Sequence, residues 1–296
     1  MRYRLTHLTA YDYEVPVDLA YHLLHLKARP LPRQQVADAR ILSDPPAARL
    51  VDRADHFGNR VSHLTIDTPH QHFEVTVEAS VEVRPVILPE DTPAWEHVAA
   101  GFGPGGLPGA QPGEWDPLAA EFLVPSPLAL PDPPATAWAR KSFPRGRPVL
   151  AAARDLTRRI HDEFAYQPGT TAVATPVNDV FAARRGVCQD FAHLQVACLR
   201  ALGIPARYAS GYLRTYPPKD AHALRGADAS HAWTSVWCGT AAGWIDLDPT
   251  NDLVVSDEHV TVAYGRDFAD VSPVRGVILG GGQHTLTVAV KLEAVG

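Results

Sequence analysis

The sequence predicts an α+β protein, in which an antiparallel β unit is followed by helices packed on a second antiparallel sheet. In residues 72–83, apolar and polar side chains alternate with a period of two, as in a strand with one buried face. In residues 148–164 and 188–202, apolar side chains recur every three or four positions, as in amphipathic helices. Short apolar segments that end at glycines return after Gly203. Helices followed by strands of this kind indicate an α+β domain.

The length and composition narrow the class of protein. A chain of 296 residues suits two domains or one elaborated domain, and 46% apolar residues suffice for a substantial core. The formal charge of −6 predicts no basic surface, so we expect neither nucleic acid nor a membrane as a partner. No segment approaches the roughly 18 apolar residues of a membrane span, and the N-terminus lacks the apolar core of a signal peptide.

The cysteines indicate the compartment. Cys188, Cys198 and Cys238 are scattered, and none belongs to a CxxC pair. This pattern predicts neither a disulfide framework nor a zinc–thiolate site, and it fits a reducing environment. We therefore expect a soluble, cytoplasmic protein.

The first 85 residues are predicted to form the N-terminal β unit. Pro16 separates the first two strand candidates, since proline cannot donate a hydrogen bond to a neighbouring strand. The turn signal at residues 57–60 precedes another strand. In chain order the predicted strands are residues 3–15, 19–28, 61–66 and 73–83.

Residues 86–147 are predicted to be a connection packed on the core. Glycine and proline dominate residues 101–113, and residues 125–134 are again rich in proline, so regular structure is not expected in either. Residues 115–123, between them, are predicted as a short helix. The segment also carries too many large apolar side chains for a free linker, namely Trp95, Phe102, Trp115, Phe122 and Trp138.

The second half of the chain begins with helices. In residues 148–164, Leu156, Ile160 and Phe164 lie four apart, and Thr175-Pro176 predicts the start of a short helix that ends at Arg184. A third helix, residues 188–202, ends before Gly203. The predicted strands that follow are residues 204–213, 232–238 and 244–247, and a last strand, residues 286–292, that can return to pair with the N-terminal β unit.

Cys188 is the candidate nucleophile. In the first turn of a helix, unpaired N–H groups and the helix dipole favour the thiolate over the thiol. A free cysteine titrates near 8.5, so a depression of about two units, roughly 2.7 kcal/mol, would leave it mostly ionised at neutral pH. The alternative is a packing residue, which is how we interpret Cys198, deeper in the same helix. A nucleophile also requires a base and a group that orients the base.

Two later segments can supply those groups. The alternation in residues 230–237 places His231 and Trp233 on one face of a strand. In residues 244–250, Asp246 and Asp248 share one face, while Ile245 and Leu247 take the other. Adjacent strands of this kind, packed against a helix that begins with a cysteine, would assemble nucleophile, base and orienting acid. Geometry alone leaves both acids open for the third role.

Three segments of the chain resemble the motif blocks of the transglutaminase-like superfamily, in the family order Cys, His, Asp. These are Gly-Val-Cys-Gln-Asp-Phe-Ala-His, residues 186–193; Ser-His-Ala-Trp, residues 230–233; and Trp-Ile-Asp-Leu-Asp-Pro-Thr, residues 244–250. Residues 2–11 and 55–59 resemble the β domain that precedes this core in bacterial members, and residues 262–273 are similar to a segment that those proteins share. The resemblance covers nearly the whole chain.

The resemblance implies a domain organisation. A papain-like or transglutaminase-like core, a helix bundle packed on an antiparallel sheet, would occupy residues 148–275. The β domain, residues 1–85, would precede it through the connection, residues 86–147. The C-terminal strand would lie within residues 276–296.

The resemblance also implies roles for individual residues. Cys188 would attack an amide carbonyl, and His231 would hold its proton and deliver it to the leaving amine. Asp248 would orient the imidazolium in preference to Asp246, because the family's acid stands immediately before Pro-Thr. The Cys188 N–H would bind the oxyanion together with Tyr166, for which the alternative is a core aromatic with a bonded hydroxyl.

No cofactor or metal is expected. His193 lies five residues from Cys188, about 140° round the helix, so these two side chains do not share a face that could bind an ion. Asp190, in the first turn, is explained by its favourable interaction with the helix dipole.

A thioester at Cys188 can be resolved by water or by an amine. Compact bacterial members that resemble this chain are more often thiol hydrolases, and no EF-hand-like calcium loop is present. We therefore expect a cysteine protease or amidase that acts on peptide, glutaminyl or γ-glutamyl amides of a peptide or protein. The alternatives are a crosslinking protein-glutamine γ-glutamyltransferase and a non-catalytic protein-binding module. The sequence carries no signal of oligomeric state.

Overall fold

The computed structural model describes residues 1–102, 116–216 and 230–295. Most of the Gly/Pro-rich segment predicted to be irregular, and Trp115, lie outside these residues. The described residues form the predicted α+β arrangement. Seven strands build an N-terminal sheet, and five further strands build a second sheet against which the helices pack.

The strands of the N-terminal sheet come from both ends of the chain. Their order is β2-β5-β1-β4-β3, and β13 and β14 also pair with β1; all of these pairings are antiparallel. The strands are β1 (Arg2–Leu24), β2 (Gln34–Asp44), β3 (Arg49–Ala54), β4 (Arg60–Ile66), β5 (His70–Val83), β13 (Val274–Gly280) and β14 (His284–Val295).

Strand β1 runs through Pro16 without a break, so the prediction of two separate strands was wrong. The register of β1 against β5 shifts between Asp12 and Val17, and Pro16 lies in this irregularity. Because the ladder is already interrupted there, the missing N–H of proline removes no hydrogen bond. The carbonyl of Pro16 still accepts a bond from Gly281 N.

The period-two pattern in β5 behaves as predicted. Its apolar side chains point into the protein, and their intervening neighbours are more exposed. The buried set is Phe73, Val75, Val77, Ala79, Val81 and Val83. Strand β14 repeats this alternation only in part, because Val290 and Leu292 are buried whereas Leu286 is 52% exposed.

The second sheet has the order β11-β10-β9-β8-β12 and is antiparallel throughout. Its strands are β8 (Ala206–Leu213), β9 (His231–Trp237), β10 (Trp244–Asp248), β11 (Leu253–Val254) and β12 (His259–Gly265). Two short strands, β6 (Ala165–Tyr166) and β7 (Arg185–Gly186), pair in parallel with each other.

The helices are α1 (Trp95–Gly101), α2 (Pro117–Ala120), α3 (Pro133–Ala139), α4 (Val149–Glu163), α5 (Val177–Ala183), α6 (Cys188–Ala201) and α7 (Phe268–Val271). Helix α6 is the centre of the core, since every residue from Asp190 to Arg200 is buried. It packs on β9 and is surrounded by α3, α4 and α5. Trp138, from the predicted connection, is buried in the same apolar cluster, and Phe122 is buried as well.

The N-terminal sheet is joined to β12 by side chains that continue its hydrogen-bond ladder. The amide of Asn59 donates to the carbonyl of Tyr264 (2.8 Å) and accepts from its N–H (2.9 Å). The amide of Gln34 makes the same pair of bonds with Thr261. Buried side chains of both sheets, among them Leu5 and Val260, also share one apolar cluster.

Candidate active site

Cys188 is the first residue of α6, as the sequence predicts. The carboxylate of Asp190, in the same first turn, folds back to accept a hydrogen bond from Val187 N (2.8 Å) and another from the hydroxyl of Thr171 (2.7 Å). A Cβ at Gly186 would lie 2.7 Å from that carboxylate, so glycine leaves the space for this cap. The cap fixes the turn on which Cys188 stands.

The three cysteines differ in exposure. Cys188 is half-buried, whereas Cys198 and Cys238 are buried in the apolar core. Burial raises the pKa of Cys198 to about 12 and that of Cys238 to about 12. Cys188 is therefore the free thiol that a reagent can reach, which agrees with the packing interpretation of Cys198.

His231 is the first residue of β9, and its side chain is fully buried. Its Cα pairs with Gly211 of β8. A Cβ at Gly211 would overlap the ring of Trp233, so this glycine allows the indole to lie beside the imidazole on the same face of β9. His231 Nε2 lies 2.9 Å from Oδ2 of Asp248.

Asp248, the last residue of β10, is completely buried and surrounded by hydrogen-bond donors. Its Oδ1 accepts from Thr250 N (2.9 Å) and Asn251 N (3.3 Å). Its Oδ2 accepts from the side-chain amide of Asn251 (2.8 Å) as well as from His231. Burial alone would raise the pKa of Asp248, but the charge and hydrogen bond of His231, with further bonding from His259, hold that pKa well below its usual range.

The pKa of His231 is shifted in the opposite direction. Burial opposes the charged imidazolium and lowers this pKa, but the charges of Asp248 and then Cys188, together with hydrogen bonding to both, raise it above its ordinary value. Cys188 also packs against the apolar cluster that contains Ala232, the strand neighbour of His231. Nδ1, the nitrogen not used by Asp248, forms no regular hydrogen bond in the described part of the chain. The hydrogen bond between Cys188 and His231 therefore stays a prediction, and such bonds are often longer in sites without substrate.

The structure separates the two candidate acids. Asp246 shares a face of β10 with Asp248, as predicted, but its Oδ2 accepts from Trp233 Nε1 (3.1 Å) and from the hydroxyl of Tyr264 (2.8 Å). In the described part of the chain, His231 bonds to Asp248 and not to Asp246. Asp246 thus holds Trp233, the neighbour of His231, in place.

Tyr166 lies close to the entry of α6. It belongs to β6 and pairs with Gly186, which is two residues before Cys188. The side chain is half-buried, and its ring centroid is 6.5 Å from that of Phe191. Both the oxyanion role and the core-aromatic alternative are compatible with this position, so the oxyanion role stays a prediction.

His259 is a neighbour of the site that sequence reasoning missed. It opens β12, and its Nε2 lies 3.3 Å from Oδ2 of Asp248. The chain has 14 histidines, and His259 stands in no recognisable motif, so no local signal distinguishes it.

His193, which the sequence draws attention to, has a different role. Its Nε2 accepts a hydrogen bond from Phe268 N, at the start of α7. Burial lowers the pKa of His193 to about 4. Within residues 1–102, 116–216 and 230–295, no three His, Cys, Asp or Glu side chains are grouped as a metal site. In the same ranges, no helix has the length and apolarity to cross a membrane, and the cytoplasmic location stays a prediction.

Two family models match the chain. The model described as the bacterial transglutaminase-like N-terminal region matches residues 3–82, and the model of the transglutaminase-like superfamily matches residues 136–249. The second range contains Cys188, His231 and Asp248.

Relatives match over the full length or over the core alone. An uncharacterized protein of Mycobacterium tuberculosis is 40% identical over 304 residues, which cover 99% of this chain and 92% of that protein. One of Mycobacterium leprae is 32% identical and covers 98% of both chains. A protein-glutamine gamma-glutamyltransferase of Pseudomonas aeruginosa is 34% identical over 107 residues, 35% of this chain and 16% of that protein.

The structure of a candidate cysteine protease from Cytophaga hutchinsonii has the same fold. It superposes with a TM-score of 0.73 over 99% of this chain and 90% of that one. The sequences are 24% identical, so this likeness bears on the fold alone.

Proposed function

Because the chain belongs to the transglutaminase-like superfamily, we propose that it is a thiol-dependent enzyme that hydrolyses amide bonds through a thioester. The substrates would be peptide, glutaminyl or γ-glutamyl amides of a peptide or protein. One observation supports this most strongly: a buried imidazole of β9 is bonded to a buried carboxylate, and β9 packs against the helix whose first residue carries a reachable thiol. Acyl transfer needs a nucleophile, a base and an orienting acid in this order, and we assign these roles to Cys188, His231 and Asp248.

In the acylation step, the proton of Cys188 passes to His231, and Sγ attacks the carbonyl carbon of the amide. Negative charge that develops on the carbonyl oxygen is bound by the Cys188 N–H at the start of α6, with Tyr166 as the proposed second donor. His231 then gives its proton to the departing nitrogen. The C–N bond breaks, the amine leaves, and the acyl group remains on Cys188 as a thioester.

In the deacylation step, His231 is neutral and acts as a general base. It takes a proton from water, whose oxygen attacks the thioester carbon, and the C–S bond breaks. The carboxylic acid leaves and Sγ recovers its proton. Asp248 stays ionised throughout, because its five donors, two of them imidazoles, stabilise the carboxylate.

The second candidate is transfer of the acyl group to an amine. The observation in its favour is the similarity of the core to the Pseudomonas aeruginosa enzyme, which is described as a protein-glutamine gamma-glutamyltransferase. The same three residues would serve, and a primary amine would replace water in the second step. Hydrolysis remains our first proposal.

The test is a turnover screen with a library of peptides and γ-glutamyl amides, run with and without an added primary amine. Hydrolysis predicts release of acid in both conditions, and transfer predicts an amide product that appears only with the amine. Cys188→Ala serves as the control and should give neither product. Absence of turnover across the library, together with an unreactive Cys188, would favour the non-catalytic binding module.

A further inference from the structure

Two imidazoles share one carboxylate oxygen in this site. Oδ2 of Asp248 lies 2.9 Å from Nε2 of His231 and 3.3 Å from Nε2 of His259. All three side chains are buried, with 0% exposure for those of His231 and Asp248 and 2% for that of His259. The three come from three different strands, β9, β10 and β12. The three side chains therefore come together only when the sheet has folded.

The hydrogen bonding of His259 fixes its protonated nitrogen. Oδ2 is an acceptor, so Nε2 of His259 must carry the proton. Nδ1 of His259 is buried and has no hydrogen-bond partner among the described residues. A buried polar atom without a partner costs free energy, so a side chain that only filled space here would be more stable if it were apolar. The bond to Asp248 is what distinguishes histidine from such a side chain.

The ring of His259 is also held in place. It stands edge-on to Trp233, with centroids 5.4 Å apart at 86°. The indole N–H of Trp233 is in turn bonded to Asp246 (3.1 Å). A rigid ring that points one donor at Asp248 can restrict how the carboxylate turns.

We propose that His259 is a positioning residue for the Cys188–His231–Asp248 site. Its Nε2–H holds Oδ2 of Asp248 towards His231 and draws part of the negative charge of this oxygen away from His231. The inference rests on the proposed function for its catalytic consequence, but its geometric part concerns only the three buried side chains.

The shared oxygen affects how strongly His231 holds its proton, and the sign of this effect can be measured. Two donors on the same oxygen compete, so each bond is weaker than it would be alone. Without His259, the carboxylate would interact more strongly with the His231 imidazolium. The carboxylate of Asp248 would also be freer to turn. The first effect retains the proton on His231 and hinders its delivery to the leaving amine; the second loosens the orientation of the ring.

The experiment uses substitutions that keep or remove the donor. In His259→Gln the side-chain amide nitrogen can occupy the place of Nε2, whereas in His259→Asn it reaches only the place of Nδ1. His259→Phe removes the donor but keeps a ring against Trp233. Each is made in the full-length chain that also carries Cys188→Ala, and the pKa of His231 is measured by NMR titration of its ring nitrogens. Circular dichroism confirms that each variant is folded.

We expect His259→Phe and His259→Asn to raise the pKa of His231 by roughly one unit, since a hydrogen bond to a charged group is lost. His259→Gln should leave it within a few tenths of a unit of the Cys188→Ala reference. An unchanged pKa in all three variants, or an equal shift in all three, would overturn the proposal. If His259→Phe does not fold, the comparison of His259→Gln with His259→Asn decides whether the donor matters.

The effect of the His259 substitutions on catalysis is measured separately, in chains that keep Cys188. His259→Asn should lower kcat on the order of 10-fold with little change in KM, and it should move the basic limb of the pH profile upwards. His259→Gln should restore most of kcat. If the chain with native Cys188 shows no turnover, the proposed function fails, while the NMR titration still decides the role of His259.

Discussion

Asp248 is an ionised group with no exposure to water. A buried carboxylate is costly unless donors replace its hydration. Here two backbone N–H groups, one amide and two imidazoles do so. Its strand neighbour Asp246 has two donors, neither of which is a catalytic group. The two acids thus have different surroundings within one strand.

Replacing each acid by its amide separates these roles. Asp248→Asn should lower kcat by about 100-fold or more, because His231 loses its orienting group and its counter-charge. Asp246→Asn keeps an oxygen for Trp233 and Tyr264, so we expect a change of only a few-fold. Steady-state kinetics on one amide substrate makes the comparison. Equal losses in the two variants would contradict the assignment of Asp248.

Cys188 should also differ from the other cysteines in reactivity. At neutral pH, iodoacetamide should modify Cys188 well before Cys198 or Cys238, which are buried and whose pKa values are raised to about 12. Mass spectrometry of digested protein gives the order of labelling. Cys188→Ala should abolish fast labelling and turnover and leave the unfolding midpoint nearly unchanged, because the side chain is only half-buried. Labelling of Cys198 at the rate of Cys188 would argue against an activated thiol.

The strands of the N-terminal sheet contribute unequally to stability. Leu292 of β14 is fully buried against the core, whereas Leu286 of the same strand is 52% exposed. Leu292→Ala should therefore lower the free energy of unfolding by about 2–4 kcal/mol, and Leu286→Ala by less than about 1 kcal/mol. Urea denaturation measures both. A similar loss of unfolding free energy in the two variants would mean that the burial of Leu292 does not contribute to stability as its position indicates.

Strand β1 carries a histidine that should make the protein sensitive to acid. The ring of His22 stacks on Phe73, with centroids 4.4 Å apart, and neither of its nitrogens has a hydrogen-bond partner in the described chain. Burial, with a smaller contribution from His70, lowers the pKa of His22 to about 4. As the pH falls from 6.5 towards 4, the unfolded chain binds a proton at this residue that the folded chain does not. The free energy of unfolding therefore decreases with falling pH.

The substitution His22→Leu removes this decrease in the free energy of unfolding at low pH. The variant should gain stability relative to the native protein as the pH falls, by about 1–2 kcal/mol at pH 5 compared with pH 7.5. Urea denaturation at the two pH values measures the difference. His63→Leu, at an exposed position of β4, is the matched control and should show no such dependence. A constant difference between His22→Leu and the native protein at both pH values would contradict the prediction.

Elements with a local period could be predicted from the sequence. Helix α4, helix α6 and strand β5 each have one buried face, and their apolar spacing shows it. Strands β2 and β3 were not predicted, because most of their side chains are exposed and the burial of β2 does not follow its apolar residues, Leu42 for example being 50% exposed. Pro16 misled the prediction of β1, since the irregularity that accommodates it depends on the partner strand. In the site, Cys188 and His231 have motifs around them, whereas His259 meets Asp248 only through the order of strands in the sheet.

Asn59 couples the two halves of the whole molecule. It is completely buried and bonds Tyr264 N, Tyr264 O, Asp55 and Arg29. Asn59→Ala removes these side-chain bonds and leaves the N–H and carbonyl of Tyr264 without the partner that Asn59 supplies, so the free energy of unfolding should fall by about 2–4 kcal/mol. Because the sheets share an apolar cluster, the transition should stay single. Asn178→Ala, at an exposed position of α5, is the control. A transition that splits in two, followed by circular dichroism and tryptophan fluorescence, would show that the halves are independent.

The pairing of β1 with β14 joins Arg2 to Val295, almost the full length of the chain apart. During synthesis, at about 5–20 residues per second, β1 leaves the ribosome roughly 15–60 s before its partner exists. During that time one edge of β1 is unpaired, and an unpaired strand edge can associate with other chains. Contacts between such distant residues also make folding slow. The nascent chain therefore depends on strand β14 to complete the sheet that strand β1 begins.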